Sequence, residues 1–197
     1  MVSRGMGLEW RALRVAVLSI AMSLDLRPAH AHGFGGSGLI HPLTGFDHLL
    51  AMLAVGAWSA QLGGAAILGV PAAFLGFMSL GGVVGIAGLS LPWVERAIAI
   101  SVVVLGCAIA AERRISPLAA GAAVALFGTY HGFSHGSEVI GVSGRASYVA
   151  GFLVTTAGLH AIGAVAALLA LESAAGVAWL RRSGAVTALL GVWLLFR

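Results

Sequence analysis

Imidazole and carboxylate side chains stand within apolar stretches of this sequence at three places. They are His41, Asp47 and His48 at the first place, His131, His135 and Glu138 at the second, and His160 at the third. An ionisable group at mid-membrane costs about 2.5 to 3.5 kcal/mol, so such groups are functional by default. Imidazole with carboxylate and without thiolate suits borderline divalent ions such as Ni, Co, Zn, Cu or Fe. We therefore predict a transition-metal site here, with a packing role between helices as the alternative for His160.

Helical geometry places the second group on one face. At 100° per residue, His131, His135 and Glu138 fall within about 60° of one another and form a single polar stripe. A row of glycines runs beside this stripe, rotated by about 100°. The row consists of Gly128, Gly132 and Gly136. Because glycine lets helix backbones approach closely in a membrane, we expect a neighbouring helix along this edge, with the ligands pointing into the seam.

The first group requires a bend in the chain. Asp47 and His48 are sequence neighbours and cannot lie on one line of a helix. Pro42 and Gly45 allow a bent start to the helix, which lets His41 return toward the other two side chains.

The elements that position these residues are membrane spans. With 59% hydrophobic and 9% charged residues, the composition is that of a membrane protein. We predict an all-α polytopic membrane helix bundle in one domain, 32–197, with six spans at 43–61, 65–89, 92–111, 117–140, 147–171 and 183–196. The sixth span starts earlier, near Ala175, only if Arg181 and Arg182 extend toward the membrane surface. The first span starts and the fourth ends at the outer side, so both polar groups are expected at similar depth.

The N-terminal residues have the layout of a signal peptide, 1–31. Three arginines precede a short apolar run at 15–24 and an A-x-A site that ends at Ala31, which predicts cleavage there. An uncleaved anchor is the alternative, but the run is shorter than the roughly 20 residues that a span needs. Cleavage would place His32 at the mature N-terminus outside the cytoplasm, where its α-amine and imidazole become additional candidate metal ligands.

The charges favour an inner-membrane protein over a nucleic-acid-binding one. All eleven basic residues are Arg, and they are scattered, which argues against a nucleic-acid-binding patch. With the mature N-terminus outside, loops carrying Arg113 with Arg114 and Arg181 with Arg182 face inward, as the positive-inside tendency expects. Arg-rich flanks without Lys occur in bacteria of high GC content, so we predict a multi-pass protein of the bacterial inner membrane. The single cysteine, Cys107, excludes an intrachain disulfide.

The two polar segments resemble signatures of the HupE/UreJ family. The first segment is H-P-L-T-G-F-D-H at 41–48, followed by L-L-A-M-L-A-V-G, and the second is H-G-F-S-H-G-S-E at 131–138. Tyr130 and Ser134 stand where the family pattern has Phe and often Ala, and neither change removes a ligand. The resemblance extends over the mature chain, and the signal peptide and six spans belong to it.

This resemblance implies a secondary permease for nickel, Ni²⁺, with cobalt, Co²⁺, as a further cargo. It also implies that the protein supplies hydrogenase or urease maturation proteins and is not an enzyme. The residues that the resemblance assigns to the ion are His41, Asp47, His48, His131, His135 and Glu138, with His160 as a secondary relay. No P-loop G-x-x-x-x-G-K-[ST] occurs, so the chain itself has no evident nucleotide-driven motor.

Two other functions stay open from the residues alone. Residues 132–136 match G-x-S-x-G, and six spans with Ser134 and a distant His160 resemble an intramembrane serine protease of the rhomboid type. However, G-x-S-x-G carries its meaning at a strand-to-helix elbow, and the rhomboid pattern has Gly where this chain has His135. The other function is haem binding by paired histidines, against which the nearby carboxylates of Asp47 and Glu138 argue.

Overall fold

The computed structural model of the protein describes residues 38–112, 114–140 and 144–197. Within these residues the protein is all-α, with seven helices and no strand. The helices are α1 His41–Thr44, α2 Phe46–Leu62, α3 Ala66–Ile86, α4 Val94–Ala111, α5 Pro117–Glu138, α6 Arg145–Leu171 and α7 Ala174–Leu195. The fold class predicted from composition is confirmed. The predicted signal peptide, 1–31, and the candidate ligand His32 lie outside the described residues.

The six longer helices, α2 to α7, each overlap one of the six predicted spans. Among the described residues, three of them are long and apolar enough to cross a membrane by length and composition: α3, α4 and α6. Helix α2 is shorter, with 17 residues, and α5 and α7, with 22 residues each, are less apolar than these three helices. The count of six crossings therefore stays a prediction.

Helix α7 corrects the predicted start of the last span at 183. It begins at Ala174, where the Ser173 side chain caps the helix by accepting a hydrogen bond of 3.1 Å from the Gly176 backbone. Arg181 and Arg182 consequently lie within a helix rather than in a loop. An arginine is accommodated there because the Arg181 side chain is half-exposed and its Nε donates to the Ala110 carbonyl, at 3.0 Å, at the end of α4.

Close backbone contact at glycines joins α3 to α5, the most extensive helix pair of the bundle. The contacts pair Gly128 with Phe74, Gly132 with Met78 and Gly136 with Gly82. A Cβ added at any of these three α5 glycines would collide with the α3 backbone. The predicted approach of a neighbouring helix along the glycine row is confirmed, and the neighbour is α3. Because the paired positions rise together along both helices, α3 and α5 run parallel.

Two further helix pairs are also joined by close backbone contact at glycines. Gly56 of α2 meets the His160 backbone of α6, and Gly163 of α6 meets the Leu53 carbonyl. Gly106 and Gly191 join α4 to α7, whose paired positions run in opposite directions. Parallel pairing of α3 with α5, and antiparallel pairing of α4 with α7, fit a chain that reverses direction at each turn. The start of α2 and the end of α5 consequently lie at the same end of the bundle.

The surface of the bundle is apolar. Large hydrophobic side chains point outward along its length, among them Leu68 at 79% exposure and Leu118 at 84%. Such a surface is unfavourable in water but faces acyl chains in a bilayer. Exposed Trp93 stacks with Arg96, and exposed Trp193 stacks with Arg197, as amphipathic side chains do at membrane interfaces. The protein is thus a membrane protein.

A bend at Gly45 separates α1 from α2. Gly45 has extended backbone angles, φ −87° and ψ 109°, between the two helices, and Pro42 lies in the first turn of α1. The bend is the one expected from these two residues. It directs His41 toward α5 and α6, where the ring contacts His135 and Tyr148, rather than back toward Asp47.

Candidate metal site

Three potential metal ligands converge where α1 meets the end of α5. His41 Nε2 lies 2.9 Å from Glu138 Oε2, and His135 Nδ1 lies 3.7 Å from the same oxygen. One ligand atom from each residue lies within 4.8 Å of the others. The His41 and Glu138 side chains are 28% and 44% exposed, whereas His135 is 6% exposed. We call these residues the ligand triad, which is open to the surface on one side and buried on the other.

Asp47 and His48 form a second, adjoining unit at the start of α2. Asp47 Oδ1 accepts two hydrogen bonds from His48, one from the backbone N–H at 2.8 Å and one from Nδ1 at 2.7 Å. The His48 ring lies 4.3 Å from the His135 ring and 4.8 Å from the His131 ring, measured between centroids. Asp47 is therefore linked to the triad through the His48 ring, with which it makes both of these hydrogen bonds.

His131 and His160 continue the polar residues into the core. His131 is fully buried, and its Nε2 lies 3.1 Å from the Ser101 hydroxyl on α4. His160 is 2% exposed, and its Nδ1 lies 2.7 Å from the Met52 carbonyl oxygen. The Phe74 ring lies between them, 5.4 Å from His131 and 5.1 Å from His160. We call His48, His131 and His160 the buried histidine row.

His135 and the buried histidine row have ring nitrogens without a hydrogen-bond partner among the described residues. The buried side-chain atoms without a partner include five imidazole nitrogens: His48 Nε2, His131 Nδ1, both nitrogens of His135, and His160 Nε2. Leaving a buried polar atom unpartnered costs about 1 to 3 kcal/mol. So many at one place are typical of a functional site rather than of a packed core.

Aromatic side chains of α6 close one side of the ligand triad. The Phe152 ring lies 4.1 Å from the His135 ring, and the Tyr148 ring lies 5.8 Å from the His41 ring. A cavity of about 170 Å³ between α3, α5 and α6 reaches His135, but the rest of its lining is mostly apolar. The triad therefore has its polar opening along His41 and Glu138.

The structure separates the predicted ligands into two sets. His41, His135 and Glu138 come together, whereas Asp47, His48 and His131 do not join the group that could hold one ion. His131 shares a helix face with His135 but turns toward Ser101. The polar stripe predicted on α5 therefore contributes to two positions at different depths. His135 and Glu138 belong to the ligand triad, and His131 belongs to the buried histidine row.

Sequence reasoning missed two side chains that touch the site and a third, a carboxylate, that lies near it. Ser101 and Tyr148 lie in apolar helices, and only their tertiary partners reveal their contact with the histidines. The third is Glu95, in the first turn of α4. It is exposed, but it lies close enough to Asp47 and Glu138 for the charges to interact.

The alternative functions gain no support from the geometry. The hydrogen bonds found across the described residues do not include one between Ser134 and His160, whose Nδ1 is occupied by the Met52 carbonyl. A serine protease dyad would need that bond. Haem ligation is disfavoured by carboxylates that lie 2.9 Å from His41 and 2.7 Å from His48.

Comparisons with known proteins agree on one family. The family model described as HupE / UreJ protein matches residues 15–194, which include every described residue of the site. The chain is 44% identical over 172 residues to Protein HupE of Rhizobium leguminosarum bv. viciae, and the match spans 85% of this chain and 90% of that relative. No solved structure matches the chain.

Proposed function

The chain belongs to the HupE/UreJ family, and on that premise we propose that it is a secondary permease for a divalent transition metal. Nickel is the cargo we propose, with cobalt as the alternative. The metal would be delivered to hydrogenase or urease maturation proteins on the inner side of a bacterial cytoplasmic membrane. In this proposal the mature N-terminus and the ligand triad lie outside the cytoplasm.

The single observation that carries this proposal is that the ligand triad adjoins the outer end of the buried histidine row. The triad supplies two nitrogens and a carboxylate within 4.8 Å of one another, a donor set that suits borderline divalent ions. Its His135 ring lies 4.3 Å from the first ring of the buried histidine row. A cation captured at the triad is therefore adjacent to further ligands that lead into the bundle.

The chemistry of the triad fits capture followed by release. Glu138 supplies a negative charge that attracts a cation, while His41 and His135 supply neutral nitrogen ligands. Three protein ligands leave coordination positions of the ion for water, unlike the closed four-ligand sites that hold structural metals. Such a site binds strongly enough to collect a dilute ion and still exchanges it.

The replacement of carboxylate by neutral ligands along the path changes how strongly each position binds a cation. Glu138 and Asp47 lie at the start of the path, whereas the deeper ligands His131 and His160 lie in an apolar core and are imidazoles, which bind a metal in their neutral form. A cation loses the attraction of the carboxylates as it moves inward, so the deeper positions should bind it more weakly. Weaker binding at the inner positions eases release of an ion that has reached them, while the electrochemical gradient of the ion sets the direction of net movement.

Uptake of radiolabelled nickel tests the proposal. The assay uses cells without importers of their own, at sub-micromolar external nickel, with cobalt and zinc as competitors. Replacing a ligand by Glu138→Gln or His135→Ala should lower initial uptake by roughly 10-fold or more, because the triad loses its charge or one of its donors. Ser134→Ala is the matched control, since Ser134 is buried beside His135 and supplies no ligand.

The control also separates the competing functions. A protease would lose its activity in Ser134→Ala, whereas a permease should keep most of its uptake. Wild-type uptake no higher than that of the empty vector, with the protein present in the membrane, would refute the nickel assignment. Equal uptake by the wild type and Glu138→Gln would refute the ligand triad as the capture site.

A further inference from the structure

The Ser101 hydroxyl lies between two groups in the core of the bundle. Its Oγ is 2.6 Å from the Ile98 carbonyl oxygen and 3.1 Å from His131 Nε2. A carbonyl oxygen can only accept a hydrogen bond, so the single hydroxyl hydrogen is directed to Ile98. The Ser101 oxygen therefore presents a lone pair to His131, and His131 Nε2 is the nitrogen that carries the hydrogen.

This arrangement determines the tautomer of His131. A neutral imidazole carries one N–H and one lone pair, and here the N–H is used at Nε2. The lone pair is then at Nδ1, which is fully buried and has no hydrogen-bond partner among the described residues. Nδ1 of His131 is thus available as a metal ligand.

In the other two members of the buried histidine row, one ring nitrogen is likewise hydrogen-bonded and the other is not. Asp47 Oδ1 accepts from His48 Nδ1, and the Met52 carbonyl accepts from His160 Nδ1, at 2.7 Å in each case. In both residues the remaining nitrogen, Nε2, is buried and without a partner in the described part of the chain. Histidines that bind metals commonly donate their other N–H to a carboxylate or a backbone carbonyl, which orients the ring.

We propose that Ser101 is a positioning residue for metal transfer: it holds His131 in the tautomer whose Nδ1 lone pair accepts the cation from the ligand triad. The inference rests on the proposed permease function and deepens it. The buried histidine row then consists of three imidazoles with open lone pairs, each held by a different acceptor. Those acceptors are a carboxylate, a hydroxyl and a backbone carbonyl.

Ser59 provides a matched control within the same bundle. Both serines are fully buried, and each hydroxyl donates to the carbonyl three residues earlier, at 2.7 Å for Ser59 and 2.6 Å for Ser101. The recorded hydrogen bonds of Ser59 do not involve a histidine. Alanine at either position removes the same bond within the helix, and only Ser101→Ala also removes the acceptor of His131.

The first measurement is the tautomer itself. Nitrogen-15 NMR of histidine-labelled, metal-free protein distinguishes protonated from unprotonated ring nitrogens, and the His131→Asn spectrum assigns the signal. We expect wild-type His131 to be protonated at Nε2 and unprotonated at Nδ1, and Ser101→Ala to show a mixture of tautomers. Protonation of wild-type His131 at Nδ1 would overturn the role of Ser101, whether or not the protein transports nickel.

The second measurement is nickel uptake by matched variants. Ser101→Ala should lower initial uptake at limiting nickel by roughly 10-fold, within the 10- to 100-fold range typical of lost ligand-orienting partners. Ser101→Thr restores a hydroxyl and should recover most of the uptake, and Ser59→Ala should match the wild type. Equal uptake by Ser101→Ala and Ser59→Ala would overturn the inference.

The two proposals can fail separately. If the wild type itself moves no nickel, the permease function fails at that point. If the wild type transports and the His131 tautomer is the opposite one, the permease function stands and the role of Ser101 fails. If Ser101→Ala does not accumulate in the membrane, the NMR measurement of the His131 tautomer in the wild type decides whether Ser101 has the proposed role.

Discussion

Asp47 is a carboxylate that orients a neighbouring imidazole through two hydrogen bonds. Its Oδ1 holds both the backbone N–H and the Nδ1 of His48, which fixes the direction of the ring. The opposite nitrogen, Nε2, then faces the core without a partner among the described residues. The acceptor that binds one ring nitrogen of a histidine therefore decides which of the two nitrogens keeps a free lone pair.

Two substitutions of Asp47 separate orientation from charge. Asp47→Asn keeps an oxygen that can accept from His48 and removes the negative charge, whereas Asp47→Ala removes both. If orientation is the main contribution, nickel uptake should fall by roughly 10-fold or more in Asp47→Ala and clearly less in Asp47→Asn.

Glu172→Gln controls for the loss of a charge elsewhere, because Glu172 is exposed at the other end of α6. Initial uptake rates at several nickel concentrations make the comparison. Equal losses in Asp47→Asn and Asp47→Ala would show that the charge, and not the orientation of His48, is what matters.

Individual helices are placed by glycine contacts that let backbones touch. Gly128, Gly132 and Gly136 allow α3 to pack closely against α5, on the side next to the face that carries His131, His135 and Glu138. The same contacts hold Phe74 of α3 against both His131 and His160. Helix packing and the geometry of the site are therefore determined together.

Gly132→Ala tests this dependence at the level of one helix pair. The added Cβ would overlap the Met78 carbonyl, so α3 must move away from α5. Overpacking of this kind costs about 1 to 3 kcal/mol. We expect a lower midpoint in thermal unfolding of the protein in detergent, together with reduced nickel uptake.

Gly121→Ala is the control on the same helix. A Cβ at Gly121 would meet the Ala73 side chain at 3.9 Å, which is an ordinary contact. Alanine there should leave thermal stability unchanged or raise it slightly, since Ala favours a helix over Gly by about 1 kcal/mol. A similar loss of stability in both variants would contradict the assigned role of Gly132.

The whole molecule has two distinct ends. The ligand triad lies at the end where α5 finishes and α6 begins, whereas the contact of Arg181 with the end of α4 lies at the other. A permease that collects metal from outside must have the triad at the outer face. The orientation of the bundle is therefore a separate prediction from the geometry of the site.

Cysteine labelling tests the orientation. In a Cys107→Ser background, Arg145→Cys and Glu172→Cys place single thiols at the two exposed ends of α6. A membrane-impermeant maleimide applied to intact spheroplasts should label Arg145→Cys and should label Glu172→Cys only after permeabilisation. Both variants should be labelled in detergent, which controls for reactivity. The reverse pattern would place the triad on the cytoplasmic side.

Several features of this protein follow from the sequence because they depend on composition and on spacing along one helix. The all-α fold follows from apolar runs that must satisfy their backbone hydrogen bonds within a membrane. The glycine row beside His135 follows from the helical repeat, as does the shared face of His135 and Glu138. The predicted start of the last span at 183 was wrong, and the alternative start near Ala175 agrees with α7. The choice depended on the Ala110 carbonyl that accommodates Arg181, which lies on another helix.

Only the tertiary structure decided which of the predicted ligands lie together in the ligand triad and which lie apart from it. His41 approaches Glu138 and not Asp47, and His131 turns away from the triad toward Ser101. These pairings join residues on different helices, and their distances depend on how closely the backbones pack. Spacing along the chain fixes which side chains share a helix face, but which partner each imidazole nitrogen meets is set by the packing of neighbouring helices.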